Sequence, residues 1–276
     1  VVYSGDLRMH GPNPERVAAF IRAAAATNPK VLLIEGTRLG EPAPSPERLA
    51  PLSEPDVPGR LVEILKGTDG LGLISLYPRN TVRLINIARA MPAAGRTLLL
   101  SPEMAYVYQT MGGDLGQIAL FERDKDKQAR AQGTAQPWLA ELFASGVRVL
   151  DAAAIRADQS RYLLQLFYWD INELVDLKPV AGSVFIHSNG EPLGRFDPQF
   201  ELLTRWLDRF GVQLVWAASS GHATPADLHR AVAGIAPALL MPIHTKNPEL
   251  LAVDGIARTL PELGAIYEIG TGKRVK

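Results

Sequence analysis

Hydrophobic positions in this chain follow two alternating periods. Val1, Val2 and Tyr3 are apolar and predict a buried strand over residues 1–6, ended by Asp6 and a turn rich in Gly and Pro. From Pro14 to Ala26 the apolar side chains recur at helical spacing, with Val17, Phe20, Ile21 and Ala24 on one face. "KVLLIEG", residues 30–36, is a continuous apolar run closed by Glu35 and Gly36, the pattern of a strand buried on both faces. A β-α-β start of this kind predicts a parallel strand pair joined by a crossover helix.

The same alternation returns after a proline-rich stretch, residues 40–60, that reads as a loop. "RLVEILKG" predicts a helix, "GLGLISLYP" a strand, "NTVRLINIARAM" a helix, "RTLLLSP" a strand and "EMAYVYQTM" a helix. "DKDKQARAQG", residues 124–133, has few apolar positions and reads as an exposed, solvated segment. "GVRVLDA", "SRYLLQLFYW" and "GSVFIHS" predict strands, and "DPQFELLTRWLDRFG" a helix ending at Gly211. "VQLVWAASSGH" predicts a strand, followed by a helix capped by Thr224 with Pro225 at its first position. "ALLMPIH" and a short "GAIYEIG" complete the set. The fold class expected is therefore α/β.

Composition narrows the chemistry. Lys plus Arg and Asp plus Glu balance at 29 each, so no overall charge argues for a polyanionic partner, although a local basic patch stays open. There is no Cys, which excludes disulfides, thiolate metal sites and thiol nucleophiles. A metal here would need His, Asp or Glu. No apolar run approaches the roughly 20 residues a membrane span requires, so a cytoplasmic chain without a membrane partner is the expectation. "GTDGLG" does not fit a dinucleotide fingerprint, and no G-x-S-x-G marks a serine hydrolase.

Polar residues gather at one kind of place. Asp6, Glu35, Ser188, His222 and His244 each fall at the carboxyl end of a predicted strand. Ligands of open α/β sheets bind beyond those ends. A lone acid or histidine there is more often a cap or turn former, but five at five strand ends could converge.

"YSGDLRMHG", "LLIEGTR", "SSGHATPADL" and "MPIHTKNPEL", in this order, resemble the metallo-β-lactamase-fold nucleases of the β-CASP group, relatives of ribonuclease J and of the cleavage-factor endonuclease. "HSNGEP" (187–192) and "LYPRNTVRL" (76–84) resemble further segments of that group. The resemblance implies the C-terminal half of a metallo-β-lactamase αββα sandwich, built from residues 1–56 and 204–276, with a β-CASP cap inserted over 57–203. It implies Asp6 as an acid bridging two divalent metal ions and His244 as a ligand of the second. Glu35 would orient His222, the candidate proton donor. Ser188, Asn189, Gly190, Ser219, Ser220 and Gly221 would line the path of the substrate phosphates. Zinc is the family expectation, and the sequence does not choose it over manganese.

Elementary chemistry agrees with these roles. Phosphodiester cleavage places negative charge on the attacking and leaving oxygens, which divalent cations neutralise. The leaving oxygen needs a proton, and a histidine supplies one near neutral pH. His10 and His229 read instead as loop and helix-surface residues, and His187 divides evenly between substrate contact and a structural role.

The resemblance also implies what the chain lacks. The family's H-x-H-x-D-H motif precedes the bridging acid, and no two histidines here are separated by one residue. The chain is thus expected to be a C-terminal part, completed by an N-terminal lactamase-like half in the same or another chain. Expected partners are RNA, or single-stranded DNA, and a second copy in a homodimer. The expected activity is metal-dependent nucleolysis. The rivals are a non-catalytic RNA-binding scaffold and a lactamase-fold hydrolase of a small substrate.

Overall fold

The computed structural model describes residues 1–41, 52–189, 198–269 and 271–276. The chain forms two units, one of Val1–Glu54 with Ser219–Lys276, the other of Pro55–Ala218. Both are α/β with parallel sheets.

The first unit starts with β1 (Val2–Tyr3), α1 (Pro14–Ala26) and β2 (Val31–Glu35). β1 and β2 are parallel, as the β-α-β pattern requires, with Val2 beside Leu32 and Tyr3 beside Leu33. β1 is shorter than the expected strand and lies at a sheet edge, so Val1 and Tyr3 are exposed rather than buried.

In the second unit α2 (Val57–Lys66) is followed by β3 (Gly72–Leu76), α3 (Thr81–Ala90), β4 (Thr97–Leu100) and α4 (Pro102–Thr110). Then come β5 (Ile118–Phe121), α5 (Asp124–Ala131), α6 (Pro137–Ala144), β6 (Val149–Leu150), α7 (Ala152–Ala157) and β7 (Tyr162–Gln165). α8 (Leu174–Leu177), β8 (Val184–Ser188), α9 (Pro198–Arg209) and β9 (Gln213–Trp216) complete it. Its seven strands run in the order β6-β5-β4-β7-β3-β8-β9. Leu73, Leu99, Leu164, Phe185 and Leu203 are buried together in its core, each such side chain contributing about 1.5–3 kcal/mol.

The chain returns to the first unit through α10 (Pro225–Ile235), β10 (Leu239–Ile243) and β11 (Ala257–Arg258). The four-stranded order is β1-β2-β10-β11. Phe20, Ile21 and Ala24 of α1 pack with Leu228, Ala231 and Val232 of α10 over Leu32, Ile34 and Leu240 of the sheet. The opposite face buries Val31, Leu239 and Met241 with Leu33 and Tyr267.

Several expectations change. The proline-rich loop ends earlier than expected, because Val57–Arg60 already form the first turn of α2 with Pro58 at its start, where a missing N–H costs nothing; residues 42–51 lie outside the described part. "DKDKQAR" is mostly exposed, as expected, and it is a helix. Asp126 closes its first turn by accepting from the backbone N–H and Nε of Arg123. The expected boundary at 203 falls inside α9, and β9 pairs with β8, so the second unit runs on to Ala218. Among the described residues of "GAIYEIG" no strand forms: Tyr267 makes one isolated bridge to Arg274, and the last strand described is β11. β5 and α6 were not legible beforehand. No helix among the described residues is long and apolar enough to cross a membrane.

Candidate metal centre

β2 and β10 position the site. Their parallel register pairs Ile243 with Glu35, so the residues just beyond, Gly36–Thr37 and His244–Thr245, emerge side by side. The approach is close: a Cβ on Gly36 would stand 2.5 Å from Leu39 Cδ1 and 3.0 Å from Thr245 Cβ. His244 follows β10 directly with φ +50°, a left-handed conformation costly for a β-carbon-bearing residue and concentrated at functional turns. Asp6 follows β1 through Gly5, whose φ of +57° suits glycine.

Glu35 ends β2 and is almost fully buried. Its two oxygens accept backbone hydrogen bonds from Thr37 N (2.8 Å) and Ala223 N (3.1 Å). The second bond fixes the loop before α10, 188 residues away in sequence. His222 is therefore placed by a loop, and not by a strand end as its sequence suggested. β9, the preceding strand, belongs to the other unit's sheet. His222 Nδ1 lies 3.5 Å from Glu35 Oε1 and 4.0 Å from Asp6 Oδ1, and this buried nitrogen has no hydrogen-bond partner.

The His222 and His244 rings are 5.8 Å apart between centroids. One ligand atom from each of Asp6, His222 and His244 falls within 4.8 Å of the others. One carboxylate and two imidazoles suit a divalent cation with open positions. Among the described residues this is the one group of three donors with such spacing. The Thr37 hydroxyl lies 3.1 Å from His244 Nδ1 and donates to the His244 carbonyl at 3.4 Å. Thr37 Oγ1 then accepts from Nδ1–H, which leaves Nε2 as the lone-pair nitrogen for a cation.

Sequence reasoning missed Thr37, although it stands inside the quoted "EGTR", and it missed a brace. Arg8 Nη1 donates to the Ser220 carbonyl (3.0 Å) and to Glu54 Oε2 (2.9 Å). His10 Nε2 also reaches the Ser220 carbonyl, at 3.1 Å, so it is half-buried rather than a solvated loop residue. Burial, and after it the Arg38 and Arg8 charges, push its pKa down against the Ser220 contact. The Ser220 hydroxyl accepts from His222 N at 3.1 Å. Arg8→Ala removes the cation beside the buried Glu54 carboxylate and is expected to destabilise the fold by about 1–3 kcal/mol, read from the shift in a urea midpoint; an unchanged midpoint would deny the brace its role.

The remaining predicted residues divide between the units. Ser219, Ser220 and Gly221 belong to the first, Ser188 and Asn189 to the second, and Gly190 lies outside the described residues. Ser188 is fully buried, with its carbonyl accepting from Arg83 Nη1 at 2.6 Å. His187 is also fully buried, its ring 4.3 Å from that of Trp216. His229 Nδ1 lies 2.7 Å from the Pro225 carbonyl within α10, a local contact away from the cluster.

An α/β protein with a carboxylate–imidazole cluster at the carboxyl ends of parallel strands is the class this fold and site define. The chain is similar to a crystal structure of a protein of unknown function from Enterococcus faecalis V583, at 32% identity and a TM-score of 0.73. The match covers 94% of this chain and 56% of that one, so the chain spans little more than half that protein's length. No family model and no curated protein matches the chain.

Proposed function

We propose that the chain is part of a metal-dependent nuclease of the β-CASP kind, hydrolysing phosphodiester bonds in RNA. The observation that carries the reading is the convergence of Asp6, His222 and His244 within 4.8 Å, beside a buried Glu35. A divalent cation held there would supply charge neutralisation at the phosphodiester and a more acidic attacking water. Asp6 and His244 would hold it, and a second cation would need donors beyond these residues. Thr37 fixes the ring orientation of His244. The Glu35 carboxylate, 3.5 Å from His222 Nδ1, sets the electrostatic surroundings of that side of the ring, and Nε2 would be left to carry a proton to the leaving oxygen. The nearby Ser220–Gly221 backbone is held by Arg8 and His10, which keeps the loop from drifting as charge develops.

Nucleolysis is tested on the full-length protein with end-labelled RNA, with and without a chelator. Cleavage that stops on chelation and returns with zinc or manganese is expected. Intact RNA under every metal condition would refute the reading and leave the non-catalytic scaffold and the small-substrate hydrolase.

A further inference from the structure

We propose that Ser4 is a positioning residue of the candidate metal centre: one hydroxyl, shared between the Gly5 carbonyl and the Glu35 backbone N–H, fixes where the Asp6 carboxylate stands. The proposal rests on the reading of Asp6 as a metal ligand and adds what aims it. Asp6 needs such a device. Its side chain is 68% exposed and, among the described residues, accepts no hydrogen bond; His222 Nδ1 lies 4.0 Å away. Directly before it comes Gly5, with φ +57° and open space where a β-carbon would stand. Glycine enters that region without steric penalty, so nothing in Gly5 itself holds the turn.

Ser4 supplies the hold. Its O–H donates at 2.6 Å to the Gly5 carbonyl, which belongs to the peptide bond leading into Asp6. Its Oγ accepts from the Glu35 N–H at 3.3 Å. The place of this second bond in the sheet matters. Ser4 N donates to the Leu33 carbonyl of β2 at 3.0 Å. One step further, a regular parallel ladder would bring the Ser4 carbonyl to the Glu35 N–H. The hydroxyl stands there instead. The ladder therefore ends on a side chain, and the main chain is released to turn at Gly5.

Glu35 is the point to which all three donors are tied. Its Oε1 accepts from Ala223 N, beside His222, and its Oε2 accepts from Thr37 N, whose hydroxyl contacts His244. Its N–H reaches Ser4, and through Ser4 the peptide of Asp6. Asp6 is followed by Leu7, which is buried in the same core as α1 and α10. That anchor fixes the chain beyond Asp6 but leaves the Gly5–Asp6 peptide free to rotate, and the Ser4 hydroxyl removes that freedom. A ligand held ready in one orientation binds a cation more tightly than one that must first be ordered.

The test titrates the full-length protein with zinc, and separately with manganese, in competition with a chromogenic chelator. Ser4→Ala should weaken metal binding roughly tenfold, the low end of what losing a partner behind a ligand does. Ser4→Thr keeps the hydroxyl and should restore most of the affinity. Urea midpoints of the metal-free proteins separate this from a merely structural role. Val2→Ala trims the same strand where it packs on the core, and should lower the midpoint at unchanged affinity. Ser4→Ala with a lowered midpoint and the parent's affinity overturns the proposal. So does a Ser4→Thr protein as stable as the parent that binds metal as weakly as Ser4→Ala. Asp6→Ala is measured in parallel and should bind more weakly than Ser4→Ala. Affinity lost in Asp6→Ala but kept in Ser4→Ala sinks the role of Ser4 alone and leaves the ligand reading standing. Affinity unchanged in Asp6→Ala, or a parent that binds neither metal, sinks the ligand reading and the proposal with it.

Discussion

Replacing His244 with alanine should strip a divalent metal from the full-length protein under the proposed function, while replacing His222 should leave the metal and abolish turnover. The contrast follows from what faces each ring. His244 Nδ1 is engaged by the Thr37 hydroxyl and the ring is one of the three converging donors, so its loss would remove a ligand outright. Thr37→Val removes only the partner behind that ligand and should weaken metal binding by roughly 10–100-fold, with His244→Ala weaker still. His222 has the buried Glu35 carboxylate at its Nδ1 side, an arrangement that orients a proton carrier. His222→Ala should therefore lower the cleavage rate by roughly 10²–10⁴-fold at unchanged metal content. Elemental analysis of the three variants decides the matter. Metal lost from His222→Ala would move His222 into the ligand set and leave the proton transfer to another group.

The second large effect is acid sensitivity of the second unit. His187 sits in β8 with no exposure and no hydrogen-bond partner on either ring nitrogen, against the Trp216 ring. Burial pushes its pKa down from 6.5 to about 4. Above pH 6.5 the ring is neutral whether folded or unfolded and costs nothing. Between 6.5 and about 4 only the unfolded chain takes up the proton, so stability falls as the pH drops through that window. The loss reaches about 3 kcal/mol below the folded value. His187→Leu removes this term and two unmet polar atoms together. Its unfolding free energy should fall less between pH 7 and pH 4.5 than that of the parent, by denaturant titration at each pH. Glu103, Asp151 and Asp227 remain in both proteins. Their pKa values are held low by hydrogen bonds to Arg123, to Ala154 N and Lys127, and to Arg230 respectively, against burial. They add the same acid-side loss to parent and variant. Equal pH slopes in the two proteins would show that His187 is not the source.

Local pattern made much of the architecture legible. α1 spans Pro14–Ala26 as its spacing indicates, because one apolar stripe and an N-terminal proline suffice to define a helix end and face. β2 is a central strand, as its unbroken apolar run demands. α5 escaped the same logic because its order comes from ion pairing, not from an apolar stripe. Arg123 contacts Glu103 and Asp170, each distant in sequence, and only then is Asp126 held in place. The edge position of β1 was equally hidden, since a strand's neighbours do not show in its own residues.

By itself the sequence determined the alternation of helices and parallel strands, the absence of thiol chemistry, and the short roll of acids and imidazoles able to act as donors. All of these depend on residue type and near-neighbour spacing. Only the tertiary structure decided that Asp6, His222 and His244 meet, that Glu35 reaches across to Ala223, and that β9 joins the other unit's sheet. Those facts are set by strand order and register, which arise when separated segments bury their apolar faces together.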